Sequence, residues 1–402
     1  MSGKKIAVIG SGVVGLSTAI TLGLMNFRVQ IFTKESIQTE TKNPFFASRY
    51  PAASILPHSI HGLNLKELFL PSKNIFQRLL RAHAPGIVQQ KHYEVFTDQT
   101  PTPPAYAPWM DGFEIHHSTD DKFVPKHPDF PVSRAWSMDM YFTNWPTYTS
   151  LLQKCCPELD ISVTVEDLDL QNITDRFSSN DYAAVVMATG CGFEIQNNHE
   201  LHLLRGDLVI AKTSKQPVNP EGNVFSYNFN PPKHAYSTKD GLAQDVYCYP
   251  RSGELVLGGS RIAGRWLRQQ WMGDEPSNYS TGDALEDPFW KIFRLNQEVL
   301  ANSSNVELSE EAIIEMKTGY RYLGPQSKAK LELDSKASLP ILHSYGYGGS
   351  GVSLSWGVAI KSAHMILHLL QSKNSSISGI ETIIGHEIEN LVSSLTKKYE
   401  SS

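Results

Sequence analysis

The chain has 402 residues, 41% hydrophobic and 19% charged, with a formal net charge of −5; this is the balance of an ordinary globular protein, long enough for two or three cores at roughly 100 to 200 residues each. It shows no basic stripe of the kind nucleic acid requires and no apolar run of about 18 residues for a membrane span. Lys4 and Lys5 lead into a strand with no cleavable apolar region behind them, and the four cysteines (Cys155, Cys156, Cys191 and Cys248) contain no CxxC pair, so neither a secretory leader, a disulfide framework nor a zinc site is expected.

Residues 6–9 are an apolar run ending at Gly10, followed by a helical pattern over 14–25 and then by alternating Val29, Ile31 and Phe32. That order reads strand, helix, strand. At its first junction stands Gly10-Ser11-Gly12-Val13-Val14-Gly15, a G-x-G-x-x-G directly after a strand and directly before a helix. The glycines allow a tight turn, close approach of backbone to a pyrophosphate and packing of helix on strand, while the helix N-terminus turns its amides toward the phosphates. The motif implies an adenine dinucleotide and does not by itself choose between NAD and FAD. A ribose-binding carboxylate is expected about 20 residues on. The second strand runs out through Thr33-Lys34-Glu35, which leaves Glu35, slightly late, as that acceptor or as a solvated loop carboxylate.

A long stretch over 33–57, rich in Thr, Ser and Pro, contains Phe46-Ala47-Ser48-Arg49-Tyr50-Pro51-Ala52-Ala53-Ser54. Loops of that length are usually functional; small residues here let backbone approach a flat ligand and the hydroxyls can bond phosphate. Residues 74–137 are mixed in pattern, with a proline cluster at 101–108 that no helix interior tolerates. Residues 182–188 read as a buried strand that stops at Thr189-Gly190-Cys191-Gly192, as a parallel strand meeting a cofactor would. Strand formers over 203–212, 246–258 and from 262 onward suggest an antiparallel sheet in a second domain. Finally 339–342 reads as a strand, 346–351 as a glycine-rich turn and 355–370 as an apolar helix, before a Ser-rich tail expected to fray.

Two late stretches are the most informative: Gly319-Tyr320-Arg321, and His343-Ser344-Tyr345-Gly346-Tyr347-Gly348-Gly349-Ser350-Gly351-Val352-Ser353-Leu354-Ser355-Trp356-Gly357. With them the chain resembles the D-amino acid oxidase and D-aspartate oxidase family of flavoenzymes. The resemblance runs through six blocks in order: the glycine fingerprint, Ala52-Ala53-Ser54, Ala188-Thr189-Gly190, Leu204-Arg205-Gly206, residues 247–259 and residues 319–357. Residues 60–180 match poorly.

The resemblance implies an α/β fold with an α+β second domain: a Rossmann-like FAD-binding domain over 1–60, 140–205 and 335–402, and an interleaved antiparallel-sheet substrate domain over 61–139 and 206–334. It implies FAD lying between the domains, held by Gly10 to Gly15, Glu35, Ser48, Ala52, Ala53, Ser54, Thr189, Gly190, Arg321 and the run Gly348, Gly349, Ser350, Gly351, Val352, Ser353. The substrate α-carboxylate would go to Arg321, whose planar fork suits a carboxylate, and to Tyr247; a salt-bridged arginine and a core tyrosine are the alternatives. The reaction implied is hydride transfer from the substrate Cα to the flavin, with oxygen as second substrate, yielding a 2-oxo acid, ammonia and hydrogen peroxide, and needing no side-chain base.

In Gly258-Gly259-Ser260-Arg261, Arg261 matches the arginine that D-aspartate oxidases direct at a side-chain carboxylate, which tilts the expectation toward D-aspartate and D-glutamate; an exposed arginine is the other reading. The family's second arginine and proline are replaced by Tyr322-Leu323-Gly324-Pro325, which keeps an atypical substrate open; a neutral D-amino acid oxidase or a related amine or imino-acid oxidase is the alternative. Two other classes stand beside the oxidase: an NAD(P) dehydrogenase sharing only the first motif, and a flavin-binding protein without turnover. A homodimer is left open, and the cytoplasm is the default location, with the peroxisome as the alternative in a eukaryote although the C-terminus is not of the Ser-Lys-Leu type.

Overall fold

An uninterrupted apolar run suits a strand covered on both faces, and Lys5–Ile9 is one: Ile6, Ala7 and Val8 have no exposed surface. A computed structural model of the chain describes residues 4–36, 43–57, 60, 63–98, 100–117, 121–197, 200–268, 270–273, 287–335, 339–371 and 376–400. By its contacts the chain divides into two compact units, Met1–Val88, Thr143–His202 and Arg321–Ser402 forming the first and Gln89–Phe142 and Leu203–Tyr320 the second.

In the first unit Lys5–Ile9 lies between Tyr182–Met187 and Arg28–Thr33, parallel to both, and Ile341–Tyr345 and Ser162–Val165 extend the sheet on either side. Lys330–Asp334 closes one edge as an antiparallel partner of Ile341–Tyr345. Ile9 is in register with Phe32 on one side and Met187 on the other. Three strands therefore end level with one another, and the turns that follow them start side by side.

The helices of this unit pack in a connected set. Val13–Leu24 and Leu65–Arg81 both lie against Gly351–Gln371, and Ile377–Glu400 lies against Leu65–Arg81. The fully buried Trp356 donates its indole N–H to the hydroxyl of Tyr148 at 2.8 Å, tying Gly351–Gln371 to the helix Trp145–Glu158. Two sequence expectations change here. The tail does not fray through its Ser residues: Ile380, Ile384, Ile388, Val392 and Leu395 recur every three to four positions and are buried, so the segment is an amphipathic helix to residue 400; Ser401 and Ser402 lie outside the described residues. The span after residue 60 opens with a helix of the first unit. Asn64 caps it, accepting from the Glu67 amide while its own side-chain amide bonds Glu67 Oε1, and its apolar stripe (Leu68, Ile75, Phe76, Leu79) faces the other helices.

The second unit is built on a ten-stranded sheet among the described residues, in the order Gln270–Met272, Ile262–Leu267, Glu200–Lys212, Glu254–Gly258, Val246–Arg251, Phe225–Asn230, Ile87–Phe96, Arg134–Thr143 and Asp111–His116, with Ile313–Tyr322 paired to Glu200–Lys212. The sheet is mixed: the pairs built from the predicted strands are antiparallel, whereas Ile87–Phe96 runs parallel to Phe225–Asn230. The helix Pro288–Ser303 covers it, burying Ile292, Phe293, Val299 and Leu300 against Val209, Leu255 and Leu257. The one polar residue in that stripe, Asn296, is satisfied by the Tyr227 hydroxyl and by the Ile292 carbonyl. Among the described residues no helix is long and apolar enough to cross a membrane.

Arg205, from one of the six matching blocks, is completely buried beside Asp207, its Nη2 3.2 Å from Oδ2. The Ser260 hydroxyl donates to the same oxygen at 2.8 Å, and the Thr318 hydroxyl donates to Oδ1 at 2.7 Å. One carboxylate thus holds three segments of the second unit together. Asp207→Ala takes from the buried Arg205 guanidinium the carboxylate 3.2 Å away and is expected to cost about 3–5 kcal/mol, read as a lowered urea midpoint.

Candidate active site

The glycine fingerprint turns with no room to spare. Gly10 has φ +109° and donates its N–H to the Phe32 carbonyl at 2.7 Å; a Cβ on Gly10 would lie 2.4 Å from the Ala188 carbonyl oxygen, and one on Gly15 would lie 1.9 Å from that of Gly10. The turn is therefore locked against the end of Tyr182–Met187, next to Thr189 and Gly190. Ser11 and Thr33 both donate to the backbone carbonyl of Glu35, at 3.1 and 2.7 Å. These two hydroxyls draw the Glu35 backbone back to the fingerprint, while its carboxylate Oε1 accepts from Asn43 Nδ2 at 2.9 Å.

The hydroxyl segment after the second strand is fastened at both ends. Ser48 Oγ accepts from the Val13 amide at 3.0 Å, capping the helix start, and the Ser48 carbonyl accepts from the Trp145 indole at 2.6 Å. Ser353 Oγ donates to the Ser54 carbonyl at 3.0 Å and accepts from the Leu56 amide at 3.2 Å. Ala53, between them, sits at φ +66°. Residues 37–42 of this loop lie outside the described residues.

The late glycine block reaches the same place. A Cβ on Gly351 would meet Val13 at 3.9 Å, so the N-termini of Gly351–Gln371 and Val13–Leu24 adjoin, and a Cβ on Gly349 would meet Arg321 Cδ at 3.6 Å. The Gly348 amide donates to the Tyr322 carbonyl at 2.8 Å, and Gly346 packs on Gly324, so the altered segment after Arg321 is folded against the block. Ser350 and Ser353 are buried, Val352 nearly so. The first unit thereby brings together Gly10 to Gly15, Glu35, Ser48, Ala52 to Ser54, Thr189, Gly190, Arg321 and Gly348 to Ser353.

Three buried polar atoms around this cluster have no hydrogen-bond partner among the described residues: Glu35 Oε2, Arg49 Nη1 and Thr189 Oγ1. Buried polar atoms are nearly always paired. One acceptor, one cationic donor and one hydroxyl, set around a helix N-terminus, are what a nucleotide's ribose and phosphates would satisfy. Arg49 was not singled out from sequence; its place directly after Ser48 is the one signal that pointed to it.

In the second unit Tyr247 lies opposite Gly258, and its phenol fills the space where a side chain at 258 would begin: an added Cβ would be 2.4 Å from the hydroxyl oxygen. The Tyr247 and Tyr249 rings stack at 4.5 Å. From Tyr249 a chain of hydrogen bonds runs inward, its hydroxyl donating to Asn228 Oδ1 at 2.6 Å and Asn228 Nδ2 donating to Glu94 Oε1 at 2.8 Å. Arg261 donates from Nη2 to Asp245 Oδ2 at 3.0 Å, and from its backbone amide to Gln244 Oε1 at 2.6 Å. Asp245 holds the Arg261 guanidinium above its ordinary range against the opposing effect of burial, with Glu94 adding to it. Asp245, Glu94 and Asn228 escaped the sequence analysis.

The chain matches the family described as FAD dependent oxidoreductase (DAO) over residues 5–365. It belongs to that family. It is 24% identical over 378 residues to a D-amino-acid oxidase from Rubrobacter xylanophilus, covering 90% of this chain and 97% of the relative, and 25% identical over 389 residues to the D-aspartate oxidase of Homo sapiens, covering 94% and 98%. Among solved structures, glycine oxidase from Bacillus cereus has the same fold, with a TM-score of 0.60 at 15% identity over 93% of this chain and 99% of that one. FAD is the cofactor, which removes the NAD(P) dehydrogenase reading, and the donor and acceptor set around the fingerprint fits it.

Glu35→Ala removes a buried oxygen that has no partner among the described residues and, with it, the bond that the other carboxylate oxygen accepts from Asn43 Nδ2. FAD affinity is expected to fall about tenfold, from a charge-assisted bond worth about 1.5 kcal/mol, while the apoprotein melts no earlier than wild type. Flavin fluorescence titration and thermal melting of the apoprotein read the two effects separately.

Proposed function

We propose that the protein is a D-amino acid oxidase, and that Arg321, set against Gly349 of the late glycine block, is the observation that carries this reading. FAD, when bound, supplies the hydride acceptor, so that a D-amino acid and oxygen yield an imino acid, hydrolysed to a 2-oxo acid and ammonia, together with hydrogen peroxide. Arg321 offers two parallel charge-assisted hydrogen bonds to the α-carboxylate, fixing the substrate where its Cα hydrogen can leave. Tyr247, its ring seated on Gly258, offers a hydroxyl to the substrate.

No general base is required of the protein when the amine binds neutral. Gly10 to Gly15 would hold the pyrophosphate, Glu35 the ribose, and Thr189, Gly190, Ser48 and Ala52 to Ser54 the walls of the cofactor cradle. The N-terminus of Gly351–Gln371, with Gly348 to Ser353, would favour negative charge on the cofactor. The expectation of an acidic side chain rests on Arg261, whose guanidinium is already paired with Asp245; the reaction and its stereochemistry do not depend on that pair.

Peroxide release from D- and L-forms of alanine, proline, aspartate and lysine tests the proposal. Activity is expected with D-forms alone, and Arg321→Ala is expected to lower kcat/KM about 100-fold, corresponding to about 3 kcal/mol of charge-assisted hydrogen bonding. Turnover confined to L-forms, or an Arg321→Ala enzyme as active as wild type, would sink the assignment; yellow protein releasing no peroxide from any of them would favour a flavin-binding protein without turnover.

A further inference from the structure

Arg261 does not stand in the second unit as an open cation. Its Nη2 is bonded to Asp245, whose side chain is only 7% exposed, while the Arg261 side chain itself is 43% exposed. The arginine lies over a buried carboxylate. A second carboxylate, Glu94, is 8% exposed and is reached from the Tyr247–Tyr249 stack through Asn228. Tyr106 senses both groups: burial and then Glu94 push its hydroxyl up, and Arg261 offsets part of that. The further cation of this strand, Arg251, faces its own acid, Glu254, at the hairpin end. Among the described residues at this face, Arg251 is thus matched by Glu254 and Arg261 by Asp245, while Glu94 has the side-chain amide of Asn228 and, at 3.5 Å, the ring of His92.

An anionic side chain arriving at Arg261 must share it with Asp245, and drawing the guanidinium away strands a buried carboxylate, which is strongly unfavourable. It also meets Glu94 as a like charge. An ammonium or guanidinium side chain meets the opposite balance. Rejection of the wrong charge is as much a source of specificity as attraction of the right one.

We propose that this face selects basic D-amino acids, such as D-lysine and D-arginine, over D-aspartate and D-glutamate, with Asp245 and Glu94 as the specificity-determining residues. This rests on the D-amino acid oxidase reading and on Arg261 facing the substrate side chain. The test compares kcat/KM for D-lysine, D-aspartate and D-alanine in the FAD-loaded enzyme and in the Asp245→Asn and Glu94→Gln variants. Gln at 94 keeps the acceptor that Asn228 uses, so this variant is informative even where Asp245→Asn fails to fold. Wild type is expected to prefer D-lysine to D-aspartate at least tenfold, and each folded variant to shrink that ratio at least threefold.

A wild type that takes D-aspartate as well as or better than D-lysine overturns the proposal, as does a ratio that neither variant moves. Absence of peroxide from D-lysine, D-aspartate and D-alanine alike overturns the oxidase reading instead. The charge preference is then decided by binding alone, from perturbation of the bound flavin's absorbance. Tighter binding of 4-(aminomethyl)benzoate than of terephthalate upholds the preference, and the reverse order overturns it.

Discussion

The first unit depends on one close approach, that of the Gly10–Gly15 turn to the end of the strand Tyr182–Met187. With 2.4 Å between a would-be side chain at Gly10 and the Ala188 carbonyl oxygen, the turn can exist only where both neighbouring strands end at the same height. The parallel register of Lys5–Ile9 with Tyr182–Met187 and Arg28–Thr33 provides this. Thr189 and Glu35 then emerge on either side of the turn, each with a buried polar atom that has no partner among the described residues. Such atoms are rare in a folded protein, where buried polar groups nearly always have a partner.

The second unit uses its buried polar groups differently. Asp207 is satisfied from three directions and serves only to hold strands. Asp245 has Arg261 and Glu94 has Asn228, and both lie close to the stacked tyrosines. A motif tells which residue stands at a position. Whether an arginine there is available as a cation depends on what lies beneath it, and Asp245 is outside every motif.

Much of the first unit was legible because its signals are local. The fingerprint, the buried strand before Thr189 and the late glycine turn each combine a periodicity with a breaker, and the structure places all of them in one cluster. Leu65–Arg81 was hidden by Pro71 in mid-helix, although Asn64 and Glu67 form a readable cap. Ile377–Glu400 was obscured by its serines, which occupy the polar face of a stripe spaced every three to four residues. Glu35 seemed late because counting along the chain ignores the hydroxyls of Ser11 and Thr33 that pull its backbone back. Arg261 could have been placed more fully: Ser252-Gly253 is a two-residue turn, and it fixes Arg251 opposite Glu254 and Tyr247 opposite Gly258. Extending that count puts Arg261 beside Gln244, one residue from Asp245. Glu94 had no such route, since its strand joins the sheet from more than 100 residues away through a parallel pairing with Phe225–Asn230.

The two hydrogen bonds of Ser353 have a consequence for the order in which the protein comes into being. They join the helix Gly351–Gln371 to residues 54 and 56, close to 300 positions earlier. The glycine turn is made more than 300 residues before Gly351–Gln371, which supplies one wall of its cradle. Contacts of such long range are slow to form. Until that helix is made, the cradle lacks the wall it supplies, so its completion depends on a contact of very long sequence range.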